Sequence, residues 1–131
     1  MAAQSRDAAV VGIHEYPSRD VEGEVSALQI KADCAEKALA DAGLTWQDVD
    51  GLYDASEAGG MAGGLTMAEY FGLNPRVIDT TNVGGSSFQY HAAHARRDIA
   101  AGRCRVALMT YGSTAHSNAF AIGVGGRGGL G

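Results

Sequence analysis

Strand-length apolar runs alternate with helix-spaced apolar stripes along most of the chain. Asp7 to Ile13 (DAAVVGI) reads as a first strand, and the polar stretch His14 to Glu24, with Pro17 and Gly23, as a loop. Ser26-x-x-Gln29 is a capping box that opens a helix, whose apolar face is marked by Leu28, Ala32, Ala35, Leu39 and Ala42 and whose end is set by Gly43. Thr45 to Asp48 predicts a short helical turn with its own cap, and Gly51-Leu52-Tyr53 a second strand. Glu57 to Gly64 (EAGGMAGG) is a glycine-rich loop. Thr66-x-x-Glu69 then caps a short helix ending near Gly72, and Asn74-Pro75 marks a turn.

From Val77 the pattern becomes more informative. Val77 to Thr81 predicts a strand, Gly84-Gly85 a tight turn, and Ser86 or Ser87 the cap of a helix carrying Phe88, Ala92, Ala95 and Ile99 at helical spacing. Gly102 closes that helix, and Val106 to Met109 is a further strand. Strands alternating with helices imply an α/β domain with a mostly parallel mixed sheet and helices packed on it. Residues 1–112 form that domain, and 113–131 a glycine-rich loop or tail. GVGGRGGLG holds six glycines in nine residues and cannot form a stable element by itself. A cut end, a substrate-covering loop and an anion-binding loop all remain open for this tail; with no helix following, the phosphate signal is weak.

Composition narrows the function. The chain has 131 residues, room for one domain, with 10 Lys+Arg against 15 Asp+Glu. A modestly acidic chain lacks the clustered basic footprint of a nucleic-acid binder. Arg96, Arg97, Arg103 and Arg105 form its basic group, read as a solvated helix end or as a contact to the phosphates of a ligand or to an acidic partner. Cys34 and Cys104 make no disulfide framework and read as small buried hydrophobes. With no apolar run of transmembrane length and no secretory pattern, the expected setting is cytoplasmic and reducing, without a membrane.

A strand feeding a helix N-terminus through a glycine turn is a common seat of chemistry, because backbone N–H groups converge there and the helix dipole favours developing negative charge. Several side chains lie near it. His91 and His94, at i and i+3, are conceivable metal ligands, but the sequence shows no third ligand of the expected sort, so no metal is expected. Tyr53, Tyr90 and Tyr111 are candidate acids, or else packed aromatics with bonded hydroxyls. Asp79 and Asn82 are placed to orient the turn, and Asn82 is the better candidate for a polar contact in the pocket.

The segment Val77 to Ser113 resembles the core of the thiolase superfamily, in particular its sterol-carrier/lipid-transfer type. Ile99-Ala100-Ala101-Gly102 followed by Arg103-Cys104-Arg105-Val106-Ala107-Leu108 is similar to that family's I-x-x-G helix ending and its following strand. The pattern AxxALxDAGLxxxDVDGL around the first helix is also typical of the superfamily, although ketoacyl synthases share a version of it. The resemblance spans nearly all of the chain but only the N-terminal third of the family, so this stretch alone is expected to be inactive. Counting back from Gly102 by the family's spacing puts the nucleophilic cysteine slot on Gly85. Gly85 cannot hold an acyl group, and no base is assignable to make Ser86 or Ser87 a nucleophile.

Cysteine-less members with such a turn act as retro-aldolases on acyl-CoA thioesters, notably in steroid side-chain breakdown. The resemblance therefore implies enolate chemistry on an acyl-CoA thioester. The foremost form is retro-aldol cleavage of a β-hydroxyacyl-CoA, with Gly84, Gly85 and Ser86 shaping the substrate pocket and Asn82, Ser86 and Ser87 as neighbours of the vacant slot. A thiolase-type acyltransferase and a non-catalytic CoA-thioester-binding subunit are the alternatives. No cofactor is implied beyond the thioester substrate. The resemblance further implies a homodimer through the Val77–Thr81 strand and an OB-fold, zinc-ribbon protein partner. In that family the helix matching the one that carries His91 and His94 is central and touches a dimer partner, which implies core or interface histidines.

Overall fold

The computed structural model describes residues 7–18, 25–55 and 63–114. Their architecture is α/β: three α-helices around a three-stranded, all-parallel sheet. Helix α1 (Ala27–Asp41) leads through a single 3₁₀ turn (Trp46–Asp48) to strand β1 (Gly51–Asp54). Helix α2 (Gly63–Phe71), strand β2 (Val77–Asp79), helix α3 (Ser87–Ala100) and strand β3 (Ala107–Thr110) follow. The strand order is β2-β1-β3, so the chain steps to one side of β1 and then crosses to the other. Leu52 stands opposite Ile78 on one side and Leu108 on the other.

Strand parity divides the two faces. Leu52 and Leu108 join Ala35 and Leu39 of α1, Val49, and Met67 and Ala68 of α2 in one apolar core. Tyr53, pointing the other way, meets α3. Every residue of β1 is buried, as expected of a central parallel strand covered on both faces.

The helix caps follow from local chemistry. Ser26 Oγ accepts the Gln29 N–H at 3.1 Å, opening α1 where the capping box predicts. Gly43, Gly72 and Gly102, each with φ near +70°, end the three helices in the left-handed conformation that glycine adopts without a Cβ penalty. Asp48 accepts from the Thr45 N–H and hydroxyl, closing the short turn.

Several expectations are corrected. Asp7–Ile13 is not a strand: it runs beside α1, with Val10, Val11 and Ile13 exposed and the Ile13 N–H donated to Asp41. Gly12 sits so close to the Ala38 carbonyl and Ala42 that a Cβ would clash there, so helix contact, not strand pairing, fixes this segment. Helix α2 begins at Gly63, which places Thr66 inside the helix and not at its cap. Strand β2 stops at Asp79, because the Asp79 carboxylate takes the Thr81 N–H and hydroxyl and turns the chain out of the ladder. The buried face of α1 is Ile30, Lys31, Ala35 and Leu39, and that of α3 is Ser87, His91, Ala95 and Asp98, each rotated from the apolar stripe read in the sequence. In both helices polar side chains displace expected apolar ones because they find partners there: β1 for Lys31 and Asp98, and the β2–α3 connection for Ser87 and His91. The 113–131 tail lies outside the described residues except for Ser113 and Thr114, as does Glu57 to Ala62 of the glycine-rich loop.

Candidate functional site

The β2–α3 connection is held by its own short side chains. Asp79 Oδ1 accepts from the Thr81 N–H at 2.9 Å and from the Thr81 hydroxyl at 2.7 Å, while Asp79 Oδ2 accepts from His94 Nδ1 at 2.6 Å. Burial alone would raise the Asp79 carboxyl, but the bonds from Thr81 and His94 outweigh it and hold the group below its usual range. Asn82 Oδ1 accepts the Gly84 N–H at 3.2 Å, an Asx turn, and Gly84 takes φ +81°. Asn82 is thus exposed and engaged with its own loop.

Ser86 occupies the N-cap position of α3, but its side chain makes no capping bond. Ser87, also considered as a cap, lies inside the helix and is fully buried. Its hydroxyl donates to the Gly84 carbonyl at 2.6 Å and accepts the Val83 N–H at 2.9 Å. One helical turn on, His91 is fully buried and its Nε2 bonds the Thr81 carbonyl at 2.9 Å. Gly85 lies at the exposed tip, just ahead of α3, and a Cβ built on it would meet nothing within 4 Å.

Neither cysteine is in this turn. Cys104 is buried beside β3's entry, 3.6 Å from the Tyr53 hydroxyl, and Cys34 is on α1. Burial pushes both thiols up, away from the thiolate form. Tyr53 is packed, its hydroxyl donating to Asp98 at 2.8 Å, and burial together with Asp98 pushes its ionisation well up. Tyr90 and Tyr111 are about half exposed, contrary to the packed alternative, and Tyr111 stands edge-on to Phe88. His91 and His94 diverge, one inward to a carbonyl and one to Asp79, and no group of three metal-ligating side chains occurs among the described residues. The basic group splits likewise: Arg96 pairs with Asp7, and Arg97 and Arg103 with Asp98.

Three buried polar residues escaped the sequence reading. Lys31, Asp54 and Thr110 meet at the carboxyl ends of β1 and β3. Lys31 Nζ lies 3.0 Å from both Asp54 oxygens, and the Thr110 hydroxyl donates to Asp54 at 2.6 Å. The available signal was positional: Lys31 falls on the same stripe as Ala35 and Leu39, at intervals of four. Asp50, only partly buried, was also missed: its carboxylate takes the backbone N–H groups of Arg105 and Val106 and so ties the entry of β3 to β1.

A cleft of about 690 Å³ lies along the outer edge of β3. It is lined by Val10, Ile13 and Tyr16 of the N-terminal segment, Ile30 and Cys34 of α1, and Met109 and Tyr111 at the end of β3. None of the residues of the glycine turn lines it; Tyr111, which does, stands edge-on to Phe88 of α3.

Comparison with protein-family models and with curated proteins finds no match to this chain. No helix among the described residues is long and apolar enough to cross a membrane.

Proposed function

We propose that this chain is the N-terminal α/β part of a thiolase-like protein that performs enolate chemistry on an acyl-CoA thioester, foremost the retro-aldol cleavage of a β-hydroxyacyl-CoA. The observation that carries the reading is the vacant, open position at Gly85. It sits where a parallel strand turns into a helix N-terminus, with both cysteines elsewhere. A retro-aldol step needs no acyl-enzyme. The β-hydroxyl loses its proton, its O–H electrons form the new carbonyl, and the Cα–Cβ bond breaks. That electron pair passes to the thioester as an enolate, which is then protonated at Cα.

What such a reaction asks of this part of the fold is a stabiliser for the enolate oxygen. A 14-residue helix whose N-cap side chain makes no bond offers its dipole for that purpose, although the Ser87 and Gln89 N–H groups are themselves donated to the Gly84 and Ser86 carbonyls. Gly84, Gly85 and Ser86 then form the thioester-facing rim, all three exposed. The acid and base come from residues outside this stretch, and the assembled protein works in the cytoplasm. Among the described residues strand β2 is an edge of the sheet, with its own Ile78 exposed, which supports pairing with the same strand of a second copy across a two-fold axis. An OB-fold, zinc-ribbon partner belongs to the same reading.

Incubation of the intact protein with a β-hydroxyacyl-CoA tests the proposal. The expected products, followed by mass spectrometry, are a shortened acyl-CoA and a free carbonyl compound, with unmodified protein throughout. A stable acyl adduct on Ser86, Ser87 or Cys104 would overturn the lyase reading in favour of acyl transfer. Binding without turnover in the full assembly would favour a non-catalytic thioester-binding subunit.

A further inference from the structure

We propose that His91 is a positioning residue for the glycine turn: its Nε2–H holds the Thr81 carbonyl, and through it the direction of the peptide units from Asn82 to Ser86. A carbonyl only accepts, so the 2.9 Å bond to Thr81 puts a proton on Nε2. The neutral ring then presents a bare lone pair at Nδ1. Among the described residues, His91 Nδ1 is the one buried side-chain polar atom with no hydrogen-bond partner. An orphaned polar atom is a cost that a phenyl ring in the same place would not carry. Packing against Phe88 and Tyr53, which approach the ring at 5.7 and 6.2 Å, asks only for an aromatic. The Nε2 bond is what distinguishes histidine at this place.

That bond completes a grip on the loop from beneath. Helix side chains lean toward the N-terminus, so Ser87 and His91, a turn apart on the buried face of α3, both reach back under the connection. Ser87 takes the Val83 N–H and the Gly84 carbonyl, and His91 the Thr81 carbonyl. Above them Asn82, Val83, Gly84, Gly85 and Ser86 are all exposed, so no packing from outside holds the rim in one orientation. A site that stabilises developing charge needs its donors fixed before the charge appears. Asp79 fixes Thr81 from its amide side and His91 from its carbonyl side.

The test uses the intact protein with His91→Phe, which keeps a ring and loses the donor, and His91→Gln, whose amide N–H can replace Nε2–H. In His91→Phe, amide exchange confined to 82–86 should accelerate about tenfold while the unfolding temperature stays at or above that of the native protein. Affinity for acetyl-CoA, the arm that rests on the thioester reading, should fall about tenfold in the same variant. His91→Gln should keep both within about threefold of the native values. Nitrogen NMR of the native protein should show a protonated Nε2 and a bare Nδ1, whether or not the variants fold. The opposite tautomer, unchanged exchange at 82–86 in His91→Phe, or acceleration spread evenly through α3 and β1 would each overturn the proposal. Failure of the native protein to bind acetyl-CoA would instead sink the thioester reading, while the exchange and tautomer results still decide the role of His91.

Discussion

Two adjacent glycines in the β2–α3 turn have opposite requirements. Gly84 takes φ +81°, where a side chain is strained, whereas Gly85 has no positive φ and open space in its Cβ direction. Gly84→Ala should therefore cost about 1–2 kcal/mol, and Gly85→Cys should change stability by no more than about 0.5 kcal/mol, both read from chemical unfolding. The new thiol would sit exposed at a helix N-terminus, so iodoacetamide should alkylate it well before Cys34 or Cys104, whose thiols burial pushes up. Slow labelling at position 85 would mean that the turn does not favour an anion and would remove the electrostatic support for thioester chemistry. The sequence located this turn through its glycines, but it did not show that Ser87 holds the loop instead of capping the helix. That role needs the Val83 amide and the Gly84 carbonyl brought under α3.

Helix α1 is joined to the sheet by chemistry as well as by packing. Ser26 caps it through the Gln29 N–H, and Ser26→Ala should cost about 1 kcal/mol in urea unfolding. Thr66→Ala, inside α2, removes no cap and should cost less than Ser26→Ala in the same measurement. Lys31 is the larger case. Its ammonium is buried against Asp54, itself fully buried, so Lys31→Met leaves an uncompensated carboxylate and should cost about 3–5 kcal/mol. Replacing both partners with apolar residues should recover much of that loss. If the single and double replacements unfold at the same denaturant concentration, the pair is not coupled as the 3.0 Å contacts imply. A lysine inside an otherwise apolar α1 stripe hinted at this pair. Its partner sits 23 positions away at the end of β1, and only the helix-on-sheet packing brings the two together.

At the scale of the whole molecule, two carboxylates link the sheet face to α3. Asp79 bonds His94, and Asp98 takes the Tyr53 hydroxyl and Arg103. Burial would raise both, yet their hydrogen bonds outweigh it and hold each below its usual range. A carboxyl depressed in the folded state contributes stability above its unfolded value of about 3.9, and that stability is lost as pH falls through the lower folded value. Acid unfolding followed by circular dichroism should therefore set in below about pH 4, and Asp98→Asn should flatten the curve there. Assembly belongs to the same scale. Light scattering at tens of micromolar is expected to give a dimer, and a proline at Ile78 should reduce it to monomer by spoiling the β2 edge. A native monomer would count against the β2 interface.

The sequence by itself determined the order of elements, most of their ends and the place of the glycine turn. Those are local matters: a serine that caps, a glycine with positive φ, an apolar run of strand length. It also indicated a mostly parallel, mixed sheet, because strands alternating with helices leave few other arrangements, and both observed pairings are parallel. The tertiary structure decided which faces are buried and which polar groups pay for it. Helix periodicity marks an apolar stripe, but a sheet that offers Asp54 to Lys31, and a β2–α3 connection that offers the Thr81 carbonyl to His91, draw polar residues inward and rotate each helix to meet them. It also decided that Asp7–Ile13 would not pair, since contact of Gly12 with α1 competes with a ladder that no local signal in DAAVVGI can weigh. Contacts between residues distant in sequence are set by packing, and packing is a property of the whole fold.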